Sequence, residues 1–282
     1  MKNKTSILLV SISLLITFAA KAEDSSDPIS ISPAIHNQSP FRTQYGSDDR
    51  QDIFEVTSPK IRELARSVGA FIYYKKIAPA DSTHEFKLDL KSYGERYKMC
   101  KGVRYYEQPS APFATAFLVA PNVVATAAHA VTNSKKEAMM EEVLCSETYF
   151  IFDYAYTSEN QDLQKISNQA VYKCARVIEK KLVWMSEDYA LIELDRPVKD
   201  RKPLKFSKNG LPKVGDQIFT LGYPHGLPQK FSGLASVRSV DVESSRFSSN
   251  SDLAAGNSGS PVFDAATNEV LGIHVSGEYD LN

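Results

Sequence analysis

From Val68 onward the sequence is a succession of short runs rich in β-branched and aromatic residues, separated by turn formers such as Pro121-Asn122, Pro212, Gly215 and Asn268. Strands are predicted over 68–74, 113–119, 123–126, 149–156, 170–178, 190–194, 217–221, 234–242, 261–264 and 270–275. Many short strands with turn signals between them define an all-β barrel or sandwich. A single convincing helix is expected over 133–144, where Lys135, Lys136, Glu137, Glu141 and Glu142 surround Met139, Met140 and Val143. Residues 75–112 are polar and tyrosine-rich, carrying Tyr93, Tyr97, Tyr105 and Tyr106, and read as a long insertion.

The chain of 282 residues can bury a core, since 43% of it is hydrophobic. Its 13 Gly and 14 Pro are far too few for a collagen, and 33 Lys+Arg against 34 Asp+Glu leave no strong net charge of the kind that keeps a chain disordered. The amino terminus is a separate matter. Lys2 and Lys4 precede an uncharged apolar run over 7–20 that ends in Ala20-Lys21-Ala22, the pattern of a cleaved export signal over residues 1–22. No later run approaches ~18 apolar residues, so no membrane span is expected and the mature protein is secreted or periplasmic.

Cleavage removes Lys2, Lys4 and Lys21 from a chain whose formal net charge is already −1, so the remainder is acidic and no nucleic-acid partner is expected. Residues 23–60, with Pro28, Pro33, Pro40 and Pro59 among scattered aspartates, read as an extended arm or propeptide. The folded domain is then 61–282. Of Cys100, Cys145 and Cys174, at most one pair can close internally in an oxidising compartment. Strands 149–156 and 170–178 would pair antiparallel and bring Cys145 near the partner of Cys174, so that pair is the expected disulfide and Cys100 is free.

Three segments hold the candidate chemistry: Thr126-Ala127-Ala128-His129, then Asp188 to Leu194, then Gly256 to Pro261. A serine hydroxyl is a weak nucleophile at neutral pH; it needs an imidazole to accept its proton and a carboxylate to hold that imidazole in the right tautomer. His129, Asp188 and Ser258 supply one of each. Gly256 and Gly259 permit a sharp turn around Ser258 that would aim the Gly256 and Ser258 amide protons at one point, an oxyanion hole. No partner His or Cys at ligand spacing accompanies His36 or His84, and no phosphate loop or dinucleotide fingerprint is present, so no metal and no cofactor is expected. His225, in a Pro- and Gly-rich stretch, reads as a surface turn residue.

On these three segments, TAAH, DYALIEL and GNSGSP, the chain resembles the trypsin-like, or chymotrypsin-like, serine peptidases over roughly residues 66–277. The resemblance implies two six-stranded antiparallel β-barrels, the first over about 66–185 and the second over about 186–282, with His129 as general base, Asp188 as its orienting carboxylate and Ser258 as nucleophile across the cleft. Such relatives continue beyond the position of Asn282 with another strand and a helix, so the second barrel is expected to be incomplete at its carboxyl end.

Segments 222–228, 259–263 and 272–277 look like the bacterial glutamyl-endopeptidase-like branch, in which His274 would sit in the substrate side-chain pocket. Asp252 would oppose an acidic substrate there. Asn257 stands where many animal members carry Asp, and a neutral amide cannot pair with a newly cut amino terminus. The implied activity is a monomeric serine endopeptidase acting on a protein or peptide substrate; the rival is an inactive module of the same fold that binds a protein partner.

Overall fold

A computed structural model describes residues 48–80, 84–132, 145–159, 161–183 and 186–277; the export signal, most of the arm and the helix expected over 133–144 lie outside the described residues. The chain enters through β1 (Gln51–Asp52) and α1 (Pro59–Ala65). Ser58 caps α1 by accepting a hydrogen bond from the Ile61 amide, and Pro59 suits the first turn, where no amide proton is needed. Next come β2 (Val68–Tyr73), β3 (Ile77–Pro79), β4 (Glu85–Leu88), β5 (Lys91–Ser92), α2 (Tyr93–Tyr97) and β6 (Pro109–Ser110). The middle of the chain forms β7 (Ala114–Ala120), β8 (Val123–Thr126), β9 (Thr148–Ile151), β10 (Lys165–Ser167), β11 (Val171–Val183) and β12 (Glu187–Leu194). The last strands are β13 (Gln217–Gly222), β14 (Lys230–Asp241), β15 (Arg246–Ser249), β16 (Pro261–Asp264) and β17 (Val270–Ile273).

Six antiparallel strands close a barrel in the order β11-β12-β8-β7-β2-β9. Its core side chains are apolar and many are small: Ala70, Ala114, Ala116, Ala125 and Ala190 lie beside Phe71, Phe117 and Phe150. Small residues among aromatic rings let a narrow barrel fill without voids. The second lobe is a six-stranded sheet, β1-β14-β13-β16-β17 with β15 on β14, and it stays open among the described residues. Segment Lys205–Ser207 covers part of its β17 edge, through Val270 N–H to Lys205 O at 2.8 Å and Ser207 N–H to Val270 O at 2.9 Å. Strand alternation divides this sheet's side chains. Phe219, Leu221, Phe263 and Ile273 join the core shared with the barrel, whereas Ile218, Val237, Phe247, Val262 and Leu271 form a cluster of their own.

Two expected boundaries move. The first barrel does not end near residue 185, because β12 pairs with β8 through Ala190–Thr126 and Ile192–Val124 and with β11 from Leu182–Asp188 to Cys174–Leu194, so the barrel runs to Leu194. The arm does not reach residue 60: β1 pairs with β14, and Ile53 and Val56 are buried in the core. The insertion is also more ordered than its composition suggests. It contributes β3 and β4, of which β4 pairs with both β3 and β10, and the β5–β6 pair flanking α2, whose start carries a Ser92–Glu95 capping box. Cys145 and Cys174 form a disulfide with Cα atoms 4.6 Å apart, and Cys100 is exposed and free.

Lys230 explains why β1 belongs to the domain. Its side chain is fully buried, and Nζ donates to Asp52 Oδ1 and, at 2.6 Å, to Gln108 Oε1, while Gln108 Nε2 donates to Asp52 Oδ2 at 2.7 Å. Burial pulls the ammonium down to about 8, against the opposing pull of Asp52. Removing one partner of such a pair strands a charge in the interior. Asp52→Ala is expected to cost about 3–5 kcal/mol in urea unfolding, whereas the paired change Asp52→Leu with Lys230→Met recovers most of the loss. Equal losses in the two proteins would show that the ion pair is not what holds the segment.

Candidate active site

His129 follows β8 directly, in a short 3-10 turn, and Asp188 lies at the start of β12, the neighbour of β8 in the barrel. Barrel pairing therefore sets the distance between imidazole and carboxylate. His129 N–H donates to Asp188 Oδ1 at 2.9 Å, and His129 Nδ1 lies 2.6 Å from Asp188 Oδ2. A carboxylate can only accept, so Nδ1 carries the proton and Nε2 is left as an acceptor. Nε2 lies 2.8 Å from Ser258 Oγ. The side chain of Asp188 is only 13% exposed against 38% for His129, so the carboxylate is sheltered and the imidazole is accessible.

Ser258 sits on the loop between β15 and β16, framed by Gly256 at φ +96° and Gly259 at φ +91°. Neither position accepts a side chain. A Cβ on Gly259 would lie 2.0 Å from Thr115 O, and one on Gly256 would lie 2.4 Å from Tyr223 O. The amides of Gly256 and Ser258 donate to no other group among the described residues, while the flanking amides are engaged: Asn257 N–H to Ala254 O at 3.0 Å and Gly259 N–H to His274 O at 2.7 Å.

Thr115 on β7 was not singled out in the sequence, yet it fastens this loop to the barrel. Its N–H donates to Ser258 O at 2.9 Å, its hydroxyl donates to Gly256 O at 2.8 Å and accepts from Tyr223 N–H at 3.2 Å, and its carbonyl accepts from Thr126 Oγ1 at 2.7 Å. A threonine inside a strand carries no sequence signal of such a role. The only available cue was its polar side chain between Ala114 and Ala116 in an otherwise apolar run.

His274 follows β17, buried, with its backbone paired to Ser260 O and Gly259 N–H. Burial, and secondarily the nearby His129, push its imidazole down to about 4, so it is neutral at neutral pH. His225 departs from the surface role expected of it. It is buried, its ring stacked on Tyr93 with centroids 5.5 Å apart and edge-on to Tyr97 at 5.0 Å, because the insertion folds over the turn that carries it. Burial, with smaller contributions from Arg50 and Arg96, lowers it to about 4 as well. Asp252 is buried, and Ser232 Oγ donates to its backbone carbonyl at 3.0 Å. Among the described residues no cluster of three or more His, Cys, Asp and Glu is placed to hold a metal, and no helix is long and apolar enough to cross a membrane.

With fold and geometry in view, the chain defines itself by class as a trypsin-like peptidase. It belongs to the family described as the trypsin-like peptidase domain, whose model matches residues 114–273. Similar solved structures include the Rv3671c protease in an inactive form, at 17% identity over 80% of this chain and 84% of that one with a TM-score of 0.46. The active form of the Rv3671c protease from M. tuberculosis matches at 19% identity over 92% and 86%, with a TM-score of 0.44. The serine endoprotease from Yersinia pestis matches at 11% identity over 78% and 58%, with a TM-score of 0.43.

The two buried neutral histidines give a pH dependence of known sign. An unfolded histidine binds its proton below its ordinary 6.5, whereas His225 and His274 in the fold do so only below about 4. Their contribution is complete above pH 6.5, is lost as the pH falls from there toward 4, and changes no further below that. The loss is on the order of 3 kcal/mol for each. Thermal unfolding midpoints should fall across this window, and His274→Gln should flatten the slope by about half; an unchanged slope would remove His274 as a cause. Thr115→Val, which keeps the shape and deletes the hydroxyl, is expected to lower unfolding free energy by about 1–3 kcal/mol.

Proposed function

We propose that the protein is an exported serine endopeptidase with His129, Asp188 and Ser258 as its catalytic residues. The observation that carries this reading is the unbroken path from Asp188 Oδ2 through His129 to Ser258 Oγ, with steps of 2.6 and 2.8 Å. Ser258 Oγ attacks the scissile carbonyl carbon as its proton passes to His129 Nε2. Asp188 keeps Nδ1 protonated and stabilises the imidazolium, and the Gly256 and Ser258 amides receive the developing oxyanion. His129 then returns the proton to the leaving amine, and water repeats the sequence on the acyl-enzyme to free Ser258.

The export reading is supported by the signal-like segment 1–22 and by the Cys145–Cys174 disulfide, a bond at home in oxidising compartments. The peptidase domain then includes β1, which lies within the 23–60 span first read as the arm. A preference of the glutamyl-endopeptidase kind would use His274 as a neutral hydrogen-bond donor, since its buried ring carries no charge at neutral pH. Such a donor discriminates less sharply than a cation, and Asp252 near the same loop opposes an acidic side chain.

A fluorophosphonate probe should label the mature protein at one residue. Ser258→Ala should abolish labelling and lower peptide hydrolysis by roughly 10⁴-fold or more, while Ser260→Ala, whose hydroxyl is buried beside Asn257, should still be labelled. A protein that binds a defined partner but neither takes the probe nor cleaves casein would instead be the binding module of the alternative reading.

A further inference from the structure

The tyrosine-rich insertion has no part in the chemistry described above, yet it packs against the turn that faces the oxyanion loop. We infer that this insertion is a brace for the oxyanion hole and that His225 is the positioning residue through which it acts. The inference rests on the peptidase reading and concerns one peptide group, Ala255–Gly256.

In a trans peptide the carbonyl and the following N–H point in opposite directions, so fixing one fixes the other. The Ala255 carbonyl accepts a hydrogen bond from the His225 N–H at 2.5 Å. That bond holds the carbonyl toward the 224–226 turn and leaves the Gly256 N–H pointing the opposite way, free to meet an oxyanion. Rotation of the same peptide would present a carbonyl where the transition state needs a donor. Gly256, having no Cβ, offers little resistance of its own to such a rotation.

The 224–226 turn is not self-supporting. His225 has φ +52°, a left-handed conformation that a non-glycine residue adopts only at a cost. Its surroundings hold it there, and they come from the insertion. Tyr93 and Tyr97 clasp the ring from a face and an edge. Ser110 Oγ donates to His225 O at 2.5 Å and accepts from Arg96 Nη1 at 3.0 Å, and Ala111 N–H donates to Gly226 O at 3.0 Å. Because burial keeps the imidazole neutral down to about pH 4, the clasp does not depend on its charge.

Two variants test the brace in the full mature enzyme. His225→Gly keeps the left-handed backbone and the N–H but removes the ring; Ser110→Ala removes the two hydrogen bonds of that hydroxyl and leaves the fold's apolar packing alone. Both should lower kcat, His225→Gly by roughly 10²-fold, the scale of losing one oxyanion donor, with KM within about twofold of the parent. Affinity for a peptide boronate, whose tetrahedral adduct places an oxygen in the hole, should fall by the same factor as kcat/KM, and His225→Phe should recover part of it. Unchanged kcat in both variants, or a rise in KM alone, overturns the brace while leaving the peptidase reading intact. A parent protein that neither cleaves peptides nor takes the fluorophosphonate probe removes that reading, and the brace falls with it.

Discussion

The hydrogen bonds of Thr115 to the Ser258 loop are the constraint on which the site geometry rests. His129 and Asp188 are set relative to one another by strand pairing within a closed barrel, whereas Ser258 arrives on a loop of a different, open sheet. Nothing in strand pairing alone places Oγ within reach of Nε2. Thr115 does so with a backbone N–H to Ser258 O and a hydroxyl to Gly256 O, both from the start of a barrel strand. Backbone bonds inside a dry core are short, directional and costly to leave unmade, so they transmit the barrel's rigidity to the loop. The close approach they require is also why no side chain is admitted at Gly259.

Buried charge is handled by different rules at two places in the second lobe. Near the amino-terminal strand, Lys230 is kept in the interior because Asp52 and Gln108 complete its coordination, and Arg50 is held beside Asp48 with Nε–Oδ1 at 2.8 Å. Those pairs order a segment whose sequence is too polar to be held by apolar burial alone. Around Ser258 the opposite solution is used, with His225 and His274 stripped of charge by burial. A cation at His274 would sit beside the His129 imidazole, whereas a neutral ring there adds bulk without adding charge.

Local pattern made strands readable where short apolar runs lie between turn formers. The runs 123–126 and 261–264 coincide with β8 and β16. The pattern misleads where polar residues are buried. β14 begins at Lys230 rather than near 234 because Lys230 and Ser232 are paired inside the fold, and β15 lies in a serine-rich stretch whose hydroxyls bond one another, as Ser239 Oγ and Ser248 Oγ do at 2.7 Å. His225 was misread for the same reason: its burial depends on Tyr93 and Tyr97, more than a hundred positions earlier, and no local window contains both. The barrel boundary was placed too early because a hairpin such as β11–β12 is recognised by its long-range register, which composition does not encode.

Two consecutive peptides just before Ser258 are thus anchored by different parts of the chain. The Gly256 carbonyl is held by the Thr115 hydroxyl, a barrel residue, and the Ala255 carbonyl by the His225 amide, a residue clasped by the insertion. The second anchor turns the Gly256 N–H the other way, whereas in the first peptide both sides are engaged, since the Asn257 N–H donates to Ala254 O at 3.0 Å. A loop flanked by glycines has little intrinsic preference among its conformations, so its shape is set by these outside partners rather than by its own residues. It follows that the insertion, although remote in sequence from Ser258 and free of any group with acid–base or nucleophilic work to do, bears on the same peptide group as the chemistry and is coupled to it through two hydrogen bonds and a pair of tyrosine rings.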